Sequence, residues 1–211
     1  MSILFSVEEF EKLKKFLTIY EWSLNILLTK LNIIQEDLLA FQGNDSIEYI
    51  RSRIKSPESI AEKLHKLNYD ITAENARKHL RDIAGVRIIC LFAKDIYFLV
   101  ELLKALPDIR VVDTKDFISN PKPSGYRSYH LIVEIPVFYS GKTEDITVEI
   151  QIRTEAMNFW ASLEHKARYK FKEHIPQHLS DELVVISNKI ADMDDRMFKI
   201  HELISLINQD N

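Results

Sequence analysis

The spacing of apolar residues changes twice along this chain, and that change constrains the fold more than any other feature. Over residues 7–41, apolar residues recur at helical spacing, which predicts one long helix or two consecutive helices. The run Ile83–Phe92 is apolar except for Gly85 and Arg87, as in a strand buried on both faces. A last long helix is expected over residues 180–207. This order predicts an α+β fold, with a mixed sheet of four to five strands between long helical N- and C-terminal segments.

Shorter elements are predicted between these segments from capping residues and alternating polarity. Ser56 followed by Pro57 is typical of a helix N-terminus, and this helix is expected to end near Leu67. Thr72 and Thr154 are further candidate N-caps. The other expected elements are helices at 72–81, 94–105 and 154–171 and strands at 109–117, 128–137 and 146–153. The strand, helix, strand order over 83–117 indicates a βαβ-like or hairpin-returning unit.

Glycine is scarce, with four residues in a chain of 211, where average usage would give about 15. No two of them lie close enough to form G-x-G-x-x-G or G-x-x-x-x-G-K-[ST]. Both motifs need closely spaced glycines to present backbone N–H groups to phosphate. The sequence therefore excludes these two phosphate cradles, and any bound phosphate must be held by side chains.

Charge and hydropathy set further limits on the function. With 28 Lys and Arg against 32 Asp and Glu, the net charge is −4, so no stable nucleic-acid partner is expected. The longest apolar run, Ile88–Ala93, is too short to span a bilayer, so no membrane partner is expected. Glu8, Glu9 and Glu11 are unlike the basic start of a signal peptide. We therefore expect a cytoplasmic protein.

The predicted strand 146–153 carries a polar face that could hold a metal ion. Alternation places Glu149, Gln151 and Arg153 on one face, which is either solvated or lines a pocket. His130 alternates onto one face of the preceding strand, and Asp82 lies just before the strand that begins near Ile83. If these faces coincide, Asp82 and Glu149 form a carboxylate pair. Such pairs on neighbouring strands can bind Mg²⁺ and leave coordination positions for substrate phosphates.

The loop before the strand 128–137 combines rigid backbone with reactive side chains. It is either a simple turn or a nucleotide-binding loop. An aromatic ring can stack on a base while cations bind phosphates, so the second interpretation needs no glycine-rich motif. The side chains that favour it are Lys122, Tyr126, Arg127 and His130.

A third polar group lies around the predicted N-terminus of the helix that follows Ser56. Free N–H groups at a helix start and nearby cations favour polyphosphate, although a solvated basic patch is an equal alternative. The group comprises Arg51, Arg53, Lys55, Ser59 and Lys63. A fourth group, in the helix after Thr154, has Asn158, Ala161, His165 and Arg168 on one face of a helix expected to be largely buried.

Four segments together resemble the synthetase domain of the RelA/SpoT family. They are SRIKSPESI (52–60), RDIAGVRI (81–88), KPSGYRSYH (122–130) and VEIQIRT (148–154), and the likeness extends over residues 47–171. The chain is similar to the stand-alone small alarmone synthetases, and segments 52–56 and 158–166 look closer to the RelP branch than to the RelQ branch. The resemblance implies a nucleotidyltransferase-like synthetase fold over residues 1–211, with N-terminal helices at 1–45, a catalytic core at 46–172 and a C-terminal helix at 173–211. No His-Asp dipeptide occurs, so no hydrolase domain is expected.

The resemblance also implies a reaction and partners. It is the transfer of pyrophosphate from ATP to the ribose 3′-hydroxyl of GTP or GDP, which yields AMP and the stringent-response alarmones pppGpp or ppGpp. Mg²⁺ is the implied cofactor, and a homotetramer is the implied assembly. Two alternatives stay open: a nucleotidyltransferase on a related fold, and a catalytically inactive nucleotide or RNA sensor, which the presence of both Asp82 and Glu149 disfavours.

By the same resemblance, individual residues receive roles. Asp82 and Glu149 are the catalytic residues and the metal ligands, with Glu149 as the general base on the 3′-hydroxyl. The implied ATP-binding residues are Arg53, Lys55, Ser59, Lys63 and Arg87. The implied GTP- or GDP-binding residues are Lys122, Tyr126, Arg127, His130, Gln151, Asn158 and Glu164, with Tyr126 stacked on guanine.

Overall fold

The computed structural model describes residues 7–171 and 175–209. Its helices are α1 (Val7–Gln42), α2 (Pro57–Lys66), α3 (Ala73–His79), α4 (Ala93–Ala105), α5 (Glu155–Lys170) and α6 (Gln177–Gln209). Its strands are β1 (Ile47–Ile54), β2 (Ala84–Cys90), β3 (Arg110–Asp116), β4 (Tyr129–Tyr139) and β5 (Lys142–Thr154). The predicted α+β architecture is confirmed, and the N-terminal segment forms one long helix over its described residues.

The five strands form one mixed sheet in the order β1-β2-β5-β4-β3. Among neighbouring strands, only β2 and β5 run parallel, and every other pair is antiparallel. β2 and β3 run parallel and are joined through α4, so the βαβ-like alternative predicted over 83–117 is confirmed and the hairpin-returning one is wrong, although β5 and β4 lie between the two strands. The β4–β5 hairpin, which follows later in the sequence, inserts between them, and this long-range pairing leaves no local sequence signal.

Capping residues start the helices where the sequence predicts. The hydroxyls of Ser56, Thr72 and Thr154 accept hydrogen bonds from the N–H groups of residues 59, 75 and 157, at 3.3, 3.1 and 3.2 Å. Each cap satisfies an N–H that has no partner within its helix. The last helix begins at Gln177, a little before the predicted start. No helix in the described ranges is long and apolar enough to cross a membrane.

The two faces of the sheet differ sharply in polarity. On one face Val148, Ile150 and Ile152 are fully buried, within a core that α1 and α4 complete. On the other face the register aligns Arg87 with Gln151, and Gln151 with His130. Glu149 lies one step along the same face, opposite Gly85 of β2. The alternation expected from sequence is therefore confirmed, and it brings polar residues of β2, β4 and β5 onto one surface.

Helices α5 and α6 pack beside this polar surface and close on the loop 117–128. Gly125 has a φ of +89°, and a Cβ there would lie 3.0 Å from Ser187 Cβ. Trp160 donates from Nε1 to the Leu183 carbonyl at 2.8 Å, which joins the two helices. The expectation that α5 is largely buried is only partly correct, since Phe159 is 66% exposed and His165 is exposed. The α5–α6 pair covers only one side of α5.

Candidate active site

A cleft of about 250 Å³ opens on the polar face of the sheet, over β1, β2 and β5. Gly85 lies in its floor, where the missing side chain exposes the backbone between Arg53 and Glu149. The cleft is lined by Arg51, Ser52, Arg53, Gly85, Val86, Arg87, Glu149 and Gln151. Three arginines and one carboxylate in so small a volume favour an anionic ligand.

Asp82 lies two residues before β2 and is held by two lysines. Lys55 Nζ donates to Asp82 Oδ2 at 2.6 Å, and Lys63 Nζ lies 2.8 Å from Oδ1. Burial acts to raise the pKa of Asp82, but the hydrogen bonds and charges of the two lysines outweigh it, so the pKa is lowered. Ser59 lies in the first turn of α2, between the two lysines in sequence. The structure thus brings the residues predicted to bind phosphate and the predicted metal ligand together.

Glu149 lies at the centre of the polar face and is held by His130 and Gln151. His130 Nδ1 lies 3.1 Å from Glu149 Oε1, and Gln151 donates from Nε2 to Oε2 at 2.8 Å. Burial acts to raise the pKa of Glu149, but the contacts with His130 and Gln151 outweigh it, so the pKa is lowered. The carboxylate is therefore ionised at neutral pH, as a general base requires.

Arg153 joins this group, although the sequence assigned it no role in the site. It is 4% exposed, and its Nη2 donates to Tyr126 Oη and to Gln151 Oε1, the latter at 2.8 Å. Its guanidinium also lies over the Tyr126 ring, 5.0 Å from the centroid. Alternation already placed Arg153 on the same face as Glu149, so the strand period was the signal that could have identified it.

Tyr126, the residue that the resemblance implies to stack on guanine, lies on the loop before β4. Its hydroxyl lies 2.8 Å from His130 Nε2. Lys122 Nζ lies 4.8 Å from the Tyr126 centroid and 4.6 Å from that of Phe117. Burial lowers the pKa of Lys122, and the charge of Glu149 partly opposes this shift. Phe117 was not expected in the site, because its position at the end of a predicted strand carried no functional signal.

Arg87 is positioned by a chain of polar contacts between β1 and α5. Its Nη1 donates to Asn158 Oδ1 at 3.4 Å, and Asn158 Nδ2 donates to Tyr49 Oη at 3.3 Å. Tyr49 in turn donates to Glu155 Oε2 at 2.9 Å. Burial lowers the pKa of Arg87, and the charges of Arg153 and Arg53 add to the effect. Arg87 Nε is buried without a hydrogen-bond partner, which leaves a donor available to a ligand.

Two of the residues implied to bind GTP or GDP, Arg127 and Glu164, have partners other than Glu149. Arg127 donates to the Ile118 carbonyl at 2.8 Å and to Asn188 Oδ1 at 3.1 Å, so it ties the loop to α6. Glu164 is buried and pairs with Arg168, and its charge acts on Lys122. Glu164 therefore lies near enough to Lys122 for its charge to act on that residue, whereas Arg127 braces the loop outside the Glu149 group.

The two carboxylates fit a magnesium ion that shares its coordination with phosphates. The charge of Asp82 acts to raise the pKa of Glu149, so the two groups interact across β2 and β5. Asp82 Oδ1 is buried and lies 2.8 Å from the Lys63 ammonium, so this oxygen already faces a cation that a metal ion could replace. Within residues 7–171 and 175–209, no three or more His, Cys, Asp or Glu side chains form a complete metal cage. Mg²⁺ typically takes one or two carboxylates and completes its shell with water and phosphate.

A sheet face with paired carboxylates, basic side chains and an aromatic loop is typical of enzymes that transfer phosphate groups between nucleotides. The comparisons specify the family. Residues 52–174 match the model described as the region found in RelA/SpoT proteins. The chain is 46% identical to GTP pyrophosphokinase YwaC of Bacillus subtilis over 190 residues, which is 90% of each chain.

Solved structures agree with the sequence comparison. Small alarmone synthetase 1 of Bacillus subtilis bound to its product pppGpp superposes with a TM-score of 0.84 at 36% identity, covering 92% of this chain and 98% of that one. The same enzyme bound to AMPCPP has a TM-score of 0.75 at 33% identity, with the same coverage. The chain belongs to the RelA/SpoT family, and its fold is that of the small alarmone synthetases. None of these names states a branch, so the closeness to RelP stays a prediction.

Proposed function

We propose that this protein is a GTP pyrophosphokinase, which transfers the β,γ-pyrophosphate of ATP to the 3′-hydroxyl of GTP or GDP and releases AMP. The observation that carries the proposal is the position of Asp82 and Glu149. They lie between a lysine and arginine group on β1, α2 and β2 and an aromatic loop before β4. The family's named activity supports the same conclusion.

On the donor side, side chains replace the missing glycine-rich loop. Lys55 and Lys63 bind the ATP phosphates, which replace Asp82 as the partner of both ammonium groups. Arg53 and Arg87 hold the adenine, since their guanidinium groups border the cleft. Asp82 and Glu149 would hold Mg²⁺, which supplies charge neutralisation on the phosphates when bound. Ser59 adds a hydroxyl in the first turn of α2.

On the acceptor side, Tyr126 stacks on guanine, and Lys122 and His130 lie beside it for the acceptor's phosphates. Gln151, Asn158 and Glu164 border the acceptor position, and Arg127 braces its loop. Glu149 takes the proton from the 3′-hydroxyl as the new O–P bond forms. The bond between the α,β-bridging oxygen and the β-phosphorus breaks, and the bridging oxygen leaves with AMP.

Product identity tests this proposal directly. The purified chain is incubated with Mg²⁺, ATP and GTP, and the adenine and guanine products are separated by anion-exchange chromatography. We expect equimolar AMP and pppGpp, with Glu149→Gln as the matched inactive control. Release of pyrophosphate without AMP would instead indicate a nucleotidyltransferase. Absence of any product from the wild-type protein would favour a nucleotide sensor.

The magnesium proposal has its own test. Asp82→Asn keeps the size of the side chain and removes its charge, so the Mg²⁺ concentration for half-maximal AMP formation is expected to rise roughly 10- to 100-fold. This range corresponds to the loss of one contact to a charged group. Isothermal titration of Mn²⁺ in the presence of AMPCPP checks the same loss without turnover. An unchanged Mn²⁺ affinity would contradict the role of Asp82 as a ligand.

We further propose a homotetrameric, cytoplasmic enzyme, with 46–172 as its catalytic core between helical segments 1–45 and 173–211. Support for assembly comes from an apolar stripe on α6, where Met193, Met197, Ile200 and Ile204 are each about half exposed and repeat at heptad spacing. A second copy is the occupant we expect. Light scattering of the wild-type protein and of Ile200→Glu tests this, since the charge should lower the measured mass. Cell fractionation tests the location.

A further inference from the structure

We propose that Arg153 is a positioning residue for the general base, because two arms of hydrogen bonds run from its guanidinium to the two oxygens of Glu149. One arm passes through Tyr126 and His130, and the other passes through Gln151. The inference deepens the proposed function and rests on it for the role of Glu149. The name "Arg153 ring" is used below for the closed circuit of Arg153, Tyr126, His130, Glu149 and Gln151.

The short arm is fixed in its direction by the chemistry of its members. A guanidinium has donors and no acceptor, so Gln151 must present Oε1 to Arg153, at 2.8 Å. Its amide nitrogen then points the other way and donates to Glu149 Oε2 at 2.8 Å. The orientation of the Gln151 amide is therefore determined at both ends.

The long arm is fixed in the same direction. Tyr126 Oη accepts from Arg153 and lies 2.8 Å from His130 Nε2, to which it donates its one proton when that nitrogen is the unprotonated one. In a neutral imidazole the other nitrogen then carries the proton. His130 Nδ1–H consequently donates to Glu149 Oε1 at 3.1 Å. Both arms deliver a hydrogen to an ionised carboxylate, which only accepts.

Burial makes this circuit rigid. Arg153 is 4% exposed and His130 is 9% exposed, so neither can replace a lost partner with bulk water at little cost. Arg153 Nε also donates to Ser128 Oγ at 3.3 Å, and that hydroxyl donates to the Ile152 carbonyl at 3.2 Å, which anchors the ring to the β4–β5 pair. Arg153 therefore controls the direction in which the free lone pairs of Glu149 point.

The Arg153 ring also includes Tyr126, whose aromatic side chain is the one proposed to stack on guanine. Because Tyr126 belongs both to the acceptor-binding surface and to the long arm, its hydroxyl and its ring face have separable functions. The face contributes to acceptor affinity, whereas the hydroxyl contributes to orientation of the base. Removing only the hydroxyl should consequently change kcat and leave KM for GTP nearly unchanged.

Kinetics of Tyr126→Phe provide the first test. We expect kcat to fall roughly 10- to 100-fold, the usual size for loss of a group that orients a catalytic residue through another, with KM for GTP and for ATP nearly unchanged. Tyr97→Phe is the matched control, since Tyr97 also donates its hydroxyl, to Asp116 Oδ2 at 3.1 Å, outside the ring. That control should keep the wild-type kcat. A rise in KM for GTP with unchanged kcat would overturn the proposal.

A double-mutant comparison tests the role of Arg153 itself. Arg153→Met should lower kcat at least as much as Tyr126→Phe, and Tyr126→Phe should cause little further loss in the Arg153→Met protein, because the long arm is already broken. Losses that multiply in the double variant would show that the two residues act separately and would overturn the proposal. Circular dichroism establishes that each variant is folded before its kinetics are interpreted.

The wild-type protein carries a test that is independent of activity and of any variant. NMR of protein labelled with ¹⁵N-histidine should show His130 with a protonated Nδ1 and an unprotonated Nε2. A proton on Nε2 would break the direction of the long arm and overturn the proposal, even if Arg153→Met does not fold. Failure of the proposed function would appear differently, as absence of AMP from the wild-type enzyme, and would leave the tautomer result unaffected.

Discussion

The two carboxylates of the site are held in opposite ways. Asp82 is bound by two lysine ammonium groups, one of which is 41% exposed, whereas Glu149 is bound by the imidazole of His130 and the amide of Gln151. Ion pairs with flexible, partly exposed lysines can exchange partners when phosphates arrive. Hydrogen bonds from buried, directional donors keep a group in one orientation. The Asp82 half is thus suited to rearrangement by a ligand, and the Glu149 half is suited to staying fixed.

This difference follows from how the chain assembles each half. Lys55 and Asp82 come together because β1 pairs with β2, and Lys55 N–H continues that pairing by donating to the Ile83 carbonyl at 2.8 Å. The Glu149 half needs the β4–β5 pair, the loop 117–128, and the α5–α6 pair that closes on Gly125. Variants that separate these two halves test the comparison.

Glu149→Gln is expected to have the largest effect. The amide keeps the shape of the side chain but cannot accept a proton, so kcat should fall by about 10²- to 10⁴-fold. KM for ATP should change much less than kcat, because the two lysines and Asp82 still hold the phosphates and the metal ion when Glu149 is replaced. Measurement of AMP release under saturating nucleotides checks this. A kcat within a factor of a few of wild type would show that Glu149 is not the base.

Gly125→Ala tests whether α6 holds the loop of the Glu149 half, and its effect is expected on the stability of the protein. The φ of +89° and the contact at 3.0 Å with Ser187 Cβ leave no room for a methyl group, so we expect a loss of roughly 2–4 kcal/mol in the free energy of unfolding. Gly141→Ala is the control, because φ there is +79° but nothing lies within 4 Å of the added Cβ. It should cost only about 1–2 kcal/mol. Urea unfolding measures both, and equal losses would mean that the loop is not clamped by α6.

The sequence predicts the local patterns of both halves, but not the strand pairings that bring their residues together. The caps at Ser56 and Thr154, the apolar run of β2 and the alternation of β5 are local patterns, and the structure follows them. The strand order and the role of Arg153 depend on which strands pair across long separations, and periodicity does not encode this. Residues 173–174 of the expected C-terminal segment lie outside the described ranges.

Two substitutions, one in each half, should each change the Michaelis constant of one nucleotide and leave that of the other nearly unchanged. Tyr126→Ala removes the stacking face and should weaken GTP or GDP binding by roughly 1–3 kcal/mol, with KM for ATP nearly unchanged. Lys63→Ala removes one phosphate contact and should raise KM for ATP by about five- to tenfold, with KM for GTP nearly unchanged, consistent with a partly exposed cation. Initial-rate measurements with each nucleotide varied in turn check both. A change in both constants from either variant would show that the halves are not independent.

The smallest expected effect concerns stability in acid. The pKa of Asp82 is lowered in the folded protein, so its contribution is complete above the ordinary value near pH 4 and is lost as the pH falls through the folded value. Wild-type protein should therefore lose more stability than Asp82→Asn between about pH 5 and pH 3. The difference should be about 1 kcal/mol, because Lys63 is partly exposed and its ion pair is screened. Urea midpoints across this range measure it. A parallel pH dependence in the two proteins would mean that the lysines do not stabilise the ionised carboxylate, and the contrast between the two halves would then rest on Glu149 alone.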